Sequence, residues 1–228
     1  MRNEKVDFDI YADKYDDVLS KELEFFGEEN SYFAEYKIKI VKDSINYKPK
    51  SILEYGCGIG RNIKFLSEYF PEAKVTGCDI SAKSIEIASE KNPGVNFFLI
   101  NPENISSHQE KYDLIFISCV FHHIEPLHRN SSMKNVFNLL ESAGHLFFFE
   151  HNPYNPLTLK IVRDCVWDKD AILLTPSESI TLIKSTGLTV IQKQYSVFFP
   201  AFLKFLRPLE KFLSFIPIGG QYYLHAQK

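Results

Sequence analysis

Glu54, Asp79, Asn101, His122, His123 and His151 are the side chains whose types and positions suit chemistry. Three glycines alternate just after the first of them, in Glu54-Tyr-Gly-Cys-Gly-Ile-Gly60. Glycines at a strand-to-helix turn let backbone amides approach a ligand and take positive φ without a Cβ clash. Asp79 ends the next apolar run, where a carboxylate accepts hydrogen bonds from ribose hydroxyls. Ile80 offers an apolar face to a purine, and the Asn101 amide, followed by Pro102, suits the edge of an adenine. Together these make an adenosine site with the glycine turn beneath its 5′ side. The dinucleotide fingerprint fails, because Arg61 stands where its third glycine would fall. Glu54 would repel a pyrophosphate but attract an ammonium group. Adenosine joined to an amino acid points to S-adenosylmethionine.

The histidines lie where an acceptor would be met. His122 and His123 follow a strand and would either serve as base and positioning groups or pack near the cofactor. His151 leaves a later strand; an imidazole can deprotonate a hydroxyl or amine at neutral pH, or hydrogen-bond the adjoining Asn-Pro turn. Glu150 would pair with a substrate or end its strand. His122, His123 and His128 show no recognisable ligand spacing, so no metal is expected. Lys37, Lys39 and Lys42 read as a solvated helix face, one of which would reach the cofactor carboxylate.

Alternating elements must hold these groups. Residues 1–50 read as amphipathic helix, with Ala34, Ile38, Val41 and Ile45 in one stripe. Tyr11 and Tyr15 share a helix face. Strand 51–55 leads to helix 60–69, strand 74–79 to helix 82–91, then strands 95–100 and 113–118, a helix carrying Met133, Val136, Phe137 and Leu140, and strand 145–150. Near-continuous apolar strands between amphipathic helices imply a parallel sheet covered on both faces. Beyond residue 150, Asn152-Pro-Tyr-Asn-Pro156 reads as a turn. Thr175-Pro-Ser-Glu178 is a capping box that opens a helix ending near Gly187. Strands 188–195 and 221–227 would close the sheet. Phe198–Ile218 carries apolar residues at helical spacing, split by Pro208; it would be core packing, a lid over a bulky acceptor, or a basic, apolar contact with an anionic membrane.

At 228 residues and 45% apolar content the chain is one globular domain, and its net charge of −3 gives no drive toward nucleic acid. The four cysteines lack CxxC spacing and read as reduced thiols of a cytoplasmic protein. A charged N-terminus predicts no signal peptide, and no apolar run predicts a membrane span.

With these residues on the page, the sequence resembles the class I S-adenosylmethionine-dependent methyltransferases, in their bacterial, small-molecule type. Glu54–Gly60 resembles that family's first motif, Asp79 its ribose-binding acid, and Pro102-Glu-Asn-Ile105 the segment after its third strand. Asn101 replaces the commoner Asp at the adenine-contacting position. Tyr112–Glu125 resembles its fourth strand and following loop, and Leu139–Leu146 its turn into strand five. The resemblance implies a Rossmann-like, doubly wound, seven-stranded, mostly parallel sheet with an antiparallel last strand and helices on both faces. It divides the domain into a helical cap (1–48), a cofactor-binding core (49–150) and an acceptor-side half (151–228) with a Phe-rich insertion at 198–218. The expected cofactor contacts are Tyr11, Tyr15, Glu54, Gly56, Cys57, Gly58, Gly60, Asn62, Asp79, Ile80, Asn101, Pro102, Ser118, Cys119 and His123. His151 or His123 is the candidate base. The implied reaction is O- or N-methylation of a small-molecule or lipid- or sugar-linked acceptor, not nucleic acid. Strand four ends in Ser-Cys-Val-Phe rather than the Asn/Asp-Pro-Pro-aromatic motif of nucleic-acid amino-methylating enzymes. The alternative is a non-catalytic scaffold that binds the cofactor or its product, S-adenosylhomocysteine.

Overall fold

The computed structural model describes residues 6–11, 30–100, 105, 108–199 and 201–228. A seven-stranded sheet forms its centre: β1 (Ser51–Tyr55), β2 (Lys74–Asp79), β3 (Asn96–Leu99), β4 (Tyr112–Ser118), β5 (Leu140–His151), β6 (Thr189–Ser196) and β7 (Gln221–Gln227). Their spatial order is β3-β2-β1-β4-β5-β7-β6. The pairs from β3 to β5 are parallel, and β7 runs antiparallel to both β5 and β6. The order reverses between β1 and β4, so a crevice opens beyond their carboxyl ends.

Helices cover both faces. On one side α2 (Asn30–Ser44) and α3 (Ile63–Tyr69) set Ile38, Val41, Ile63 and Leu66 against Ile52, Phe116, Phe147 and Phe149. On the other, α5 (Pro126–Leu139) and α7 (Pro176–Lys184) set Met133, Val136, Leu182 and Ile183 against Ile115, Ile117 and Phe148. Phe147, Phe148 and Phe149 thus feed alternate faces, and all three are fully buried. Each phenyl contributes on the order of 2–3 kcal/mol by leaving water. The helix α4 (Ala82–Lys91) begins at Ser81, whose hydroxyl accepts from the Ser84 amide. The capping box at α7 forms as expected, with Thr175 and Glu178 satisfying each other's backbone amides.

Three elements differ from the sequence reading. Asn152-Pro-Tyr-Asn-Pro156 is not only a turn: Asn155 accepts from the amides of Leu157 and Thr158 and starts α6 (Pro156–Asp164). Strand β5 begins at Leu140, earlier than expected, through a register shift opposite Tyr112–Leu114 with Ala143 at φ 62°. In the Phe-rich segment, Ala201–Leu209 forms 3₁₀ turns kinked at Leu203 rather than at Pro208, followed by α8 (Glu210–Leu213). Nor is that segment ordinary core. Phe205, Phe212, Phe215 and Ile218 are more than 60% exposed, while Glu210 is buried. Glu210 ties the segment down by accepting from the Tyr36 hydroxyl at 2.6 Å and from the Phe198 and Phe199 amides.

Candidate active site

A cavity of about 740 Å³ occupies the crevice at the strand-order reversal. Its floor is the turn after β1. The Gly56 and Cys57 amides donate to the Cys78 carbonyl at 2.8 and 2.9 Å, pinning the turn to β2. A Cβ on Gly56 would lie 2.5 Å from Val120 Cγ2, because the exit of β4 crosses directly above. Gly58 sits at φ +51° with open space where its Cβ would be, and its amide donates to Asp79 Oδ2 at 2.8 Å. Asp79 Oδ1 accepts from the Ser81 amide at 3.0 Å. Burial raises the Asp79 pKa, against these backbone hydrogen bonds. Ile80 stays 54% exposed on the cavity wall.

Of the expected cofactor contacts, Gly56, Cys57, Gly58, Asn62, Asp79, Ile80, Ser118, Cys119 and His123 line this cavity. Gly60 does not; it faces Ala88 and Asn92 of the α4 end and shapes the turn from behind. Glu54 also lies outside the lining. It is 1% exposed, and Oε1 accepts from Asn62 Nδ2 at 2.5 Å while Oε2 has no partner among the described residues. Burial pushes its pKa up to about 8, so at neutral pH the carboxyl is mostly protonated rather than a ready anion. Glu54 therefore reaches the cavity only through Asn62. Tyr15, Asn101 and Pro102 lie outside the described residues, as does the Tyr11 side chain.

Lys37 corrects the picture of a solvated helix face. It is 8% exposed, lines the cavity and donates to Ser118 Oγ at 2.6 Å, whereas Lys39 and Lys42 remain in solvent. The helix α1 (Phe8–Tyr11) borders the cavity through Phe8. Asp9 accepts from the Ser81 hydroxyl and the Lys83 amide, and Phe8 packs edge-on against His123 at 5.1 Å.

The exits of β4 and β5 form the far end. Cys119 holds φ 59°, and its thiol accepts from Gln221 Nε2 at 3.4 Å. Burial alone would raise the Cys119 pKa, but the neighbouring His151 and Lys37 outweigh it and bring it to about 7. Burial depresses the His151 pKa, and contact with Cys119 more than reverses that. Asp168 and Asp170 carry no motif in the sequence beyond a charged stretch beside the single Trp167. Their loop is fastened to the β4 exit: the Ile172 amide donates to the His122 carbonyl at 2.8 Å, and buried Arg129 donates to the carbonyls of Ile124 and Ile172. Asp168 Oδ1 then sits 3.4 Å from Nε2 of both His122 and His123. Burial depresses the His122 pKa, but Glu150 and Asp168 lift it well above the usual value. Burial, followed by the His122 charge, lowers His123 to about 4. The expectation of no metal set rested on spacing along the chain; folding gathers His122, His123 and Asp168 with ligand atoms within 4.8 Å of one another.

Residues 52–144 match the family described as a methyltransferase domain. That match covers about two fifths of the chain and makes it similar to the S-adenosylmethionine-dependent methyltransferases. The cofactor that goes with this similarity is S-adenosylmethionine, released as S-adenosylhomocysteine. The cradle fits it: an open positive-φ glycine, a carboxylate anchored by two amides, an exposed isoleucine and a buried lysine face one cavity. A methyltransferase of known structure from Thermotoga maritima, described as a possible histamine N-methyltransferase, superposes with TM-score 0.67 at 18% identity over 97% of both chains. Among relatives, a tRNA N(3)-methylcytidine methyltransferase of Drosophila melanogaster is 28% identical over 60% of this chain and 46% of its own length. A malonyl-[acyl-carrier protein] O-methyltransferase of Priestia megaterium is 34% identical over 43% of this chain and 35% of its own. The aligned region thus spans less than half of each of these relatives. Among the described residues, no helix is long and apolar enough to cross a membrane.

Proposed function

We propose that this protein moves a methyl group from S-adenosylmethionine to an oxygen or nitrogen of a small-molecule or lipid-linked acceptor. One observation carries the reading: a single cavity joins the glycine cradle and Asp79 to the exits of β4 and β5. The bound cofactor supplies a methyl group on a sulfonium sulfur, an electrophile that needs no acid catalysis to leave. Gly56, Cys57 and Gly58 would hold its amino-acid end, with Asn62 relaying Glu54 and Lys37 meeting the carboxylate. Asp79 would take the ribose hydroxyls and Ile80 one purine face. Catalysis then rests on alignment and exclusion of water, which Phe8, Phe33, Val120 and Trp167 around the cavity favour. His151 takes the proton that a hydroxyl or amine acceptor gives up.

A lipid-linked acceptor is favoured by the exposed Phe205, Phe212, Phe215 and Ile218, interleaved with Lys204 and Lys211. The relative that acts on tRNA raises nucleic acid as an acceptor; the net charge of −3 argues against it here. Calorimetry with S-adenosylhomocysteine tests the donor half, with one site per chain expected and no binding refuting it. Radiolabelled S-adenosylmethionine offered with a lipid extract or an aqueous metabolite extract tests the acceptor half. The label should enter lipid, and His151→Asn should lose that transfer while keeping S-adenosylhomocysteine affinity. The protein should also sediment with vesicles containing anionic lipid, and failure to do so removes the membrane contact.

A further inference from the structure

The two histidines after β4 are arranged for more than packing. His122 Nε2 and His123 Nε2 both stand 3.4 Å from one oxygen, Asp168 Oδ1. Charge-assisted N–H···O contacts shorten to ~2.7–2.9 Å, so these two contacts are within hydrogen-bond reach but longer than the strongest of that kind. They do match the spacing of ligands around an ion, since a tetrahedral centre with bonds of ~2.0–2.1 Å sets its ligands ~3.3–3.4 Å apart. All the ligand atoms of the triad lie within 4.8 Å of one another.

The surroundings are those of a metal centre. Behind each ring stands a carboxylate on the opposite nitrogen: Glu150 Oε2 at 2.5 Å from His122 Nδ1, and Asp170 Oδ1 at 3.5 Å from His123 Nδ1. Such partners fix the tautomer that turns the Nε2 lone pair toward a common point, and they raise its basicity. The carboxylates are held in turn. Glu150 Oε1 accepts from the Phe121 amide at 2.8 Å, and Asp170 Oδ2 from the Val6 amide at 2.9 Å. Glu150, Asp168 and Asp170 bring three carboxylates to the two rings, with the Arg129 guanidinium and the His151 ring also close by. Two imidazoles with one carboxylate suit zinc and ferrous iron rather than magnesium or calcium, which prefer oxygen alone.

We propose that His122 Nε2, His123 Nε2 and Asp168 Oδ1 bind one divalent transition-metal ion at the acceptor end of the cavity. Glu150 and Asp170 act as positioning residues that orient the two rings. All three ligands line the cavity, so the open coordination positions face it. The ion would therefore present an oxygen- or nitrogen-bearing acceptor to the methyl donor, a consequence that rests on the methyl-transfer reading, whereas the site itself does not.

The test uses tag-free full-length protein, dialysed against chelator and titrated with Co²⁺ and with Zn²⁺ without any methyl donor. One equivalent of Co²⁺ should give the visible ligand-field bands of a low-coordinate nitrogen–oxygen site, and Zn²⁺ should displace it. His123→Gln and Asp168→Asn should each weaken Zn²⁺ binding at least tenfold with unchanged far-ultraviolet circular dichroism. Asp170→Asn should weaken it less. Stoichiometric binding absent from the folded wild-type protein overturns the proposal, as does binding that survives both ligand substitutions. Normal S-adenosylhomocysteine affinity in metal-free protein would leave the donor reading standing whichever way the metal result falls.

Discussion

Replacing Glu54 by glutamine separates what this buried carboxyl does for the fold from what it does for the cofactor. Its ordinary pKa is 4.5, and in the folded protein it is pushed up to about 8, chiefly by burial. Between those values the folded state keeps a proton that the unfolded chain has released. Unfolding free energy therefore falls as pH rises through this window; the stability is whole below the lower value and lost by the upper one. Each pH unit inside the window costs ~1.4 kcal/mol, so the loss at pH 7 is about 3 kcal/mol. Glutamine cannot release that proton. Its Oε1 keeps the hydrogen bond from Asn62 Nδ2, while its amide places two N–H groups where Oε2 finds no partner. An unsatisfied buried amide costs about 1–3 kcal/mol, so the variant's level of stability is nearly unchanged at pH 7 and its slope is not. For a chain of this size, 1 kcal/mol moves Tm by about 2–4 °C. Melting curves from pH 5.5 to 7.5 should show wild-type Tm falling relative to the variant by roughly 3–6 °C per pH unit. The other titrating groups cancel in that difference. Parallel curves would refute the buried, proton-bound Glu54.

Other substitutions probe the cradle. Gly58→Ala adds a methyl group where the cavity is open, so it should cost only about 1–2 kcal/mol of backbone strain yet weaken S-adenosylhomocysteine binding tenfold or more. Gly60→Ala drives a Cβ to 2.6 Å from Asn92 Nδ2 and should show the reverse order of effects, a larger fall in Tm than in affinity for cofactor. Lys37→Met keeps the buried aliphatic stem and removes the ammonium beside Ser118; calorimetry should show roughly a tenfold loss of cofactor affinity with Tm within a few degrees of wild type. Tyr36→Phe breaks the 2.6 Å bond to Glu210 and leaves that buried carboxylate short of one donor, which should cost about 1–3 kcal/mol and expose residues 198–218 to limited proteolysis.

The donor half of the site was legible because its signals are local. The turn after β1 and the acid ending β2 occupy neighbouring strands in a topology that strand and helix periodicity already implies. Residues Gly56, Gly58 and Asp79 consequently stand where the sequence put them. The acceptor half was less legible for physical reasons. Asp168 and Asp170 belong to a loop with no periodic pattern, and their place depends on Arg129 and on backbone bonds to the β4 exit. Lys37 adjoins the apolar stripe of α2, and only the packing angle of that helix decides whether its neighbours meet water or the cavity. The start of α6 was readable in principle, since Asn155 followed by Pro156 is an N-cap with proline at the first helical position. The preceding Asn-Pro-Tyr masks that signal, because it reads as a turn. Helical spacing in 198–218 suggests core, yet Phe205, Phe212 and Phe215 face solvent and the segment is tied down by Glu210 instead.

Glu150 shows why the acceptor half is one unit rather than a collection of loops. Its two oxygens serve different elements: Oε1 takes the Phe121 amide and Oε2 the His122 ring. The strand β5 thereby fixes both the backbone and the side chain of the turn leaving β4. The same turn, through the His122 carbonyl, holds the Ile172 amide of the loop that delivers Asp168, and Asp170 reaches on to the Val6 amide just before α1. Hydrogen bonds thus run from β5 through the turn leaving β4 and the loop of Asp168 and Asp170 to Val6, just before α1. Phe8 of that helix packs against His123, and its neighbour Asp9 holds Ser81 beside Asp79. These contacts link the acid–histidine cluster to residues 6–9 and, through Asp9 and Ser81, to Asp79 at the donor end. The two ends of the cavity are coupled by bonds as well as by the space they share.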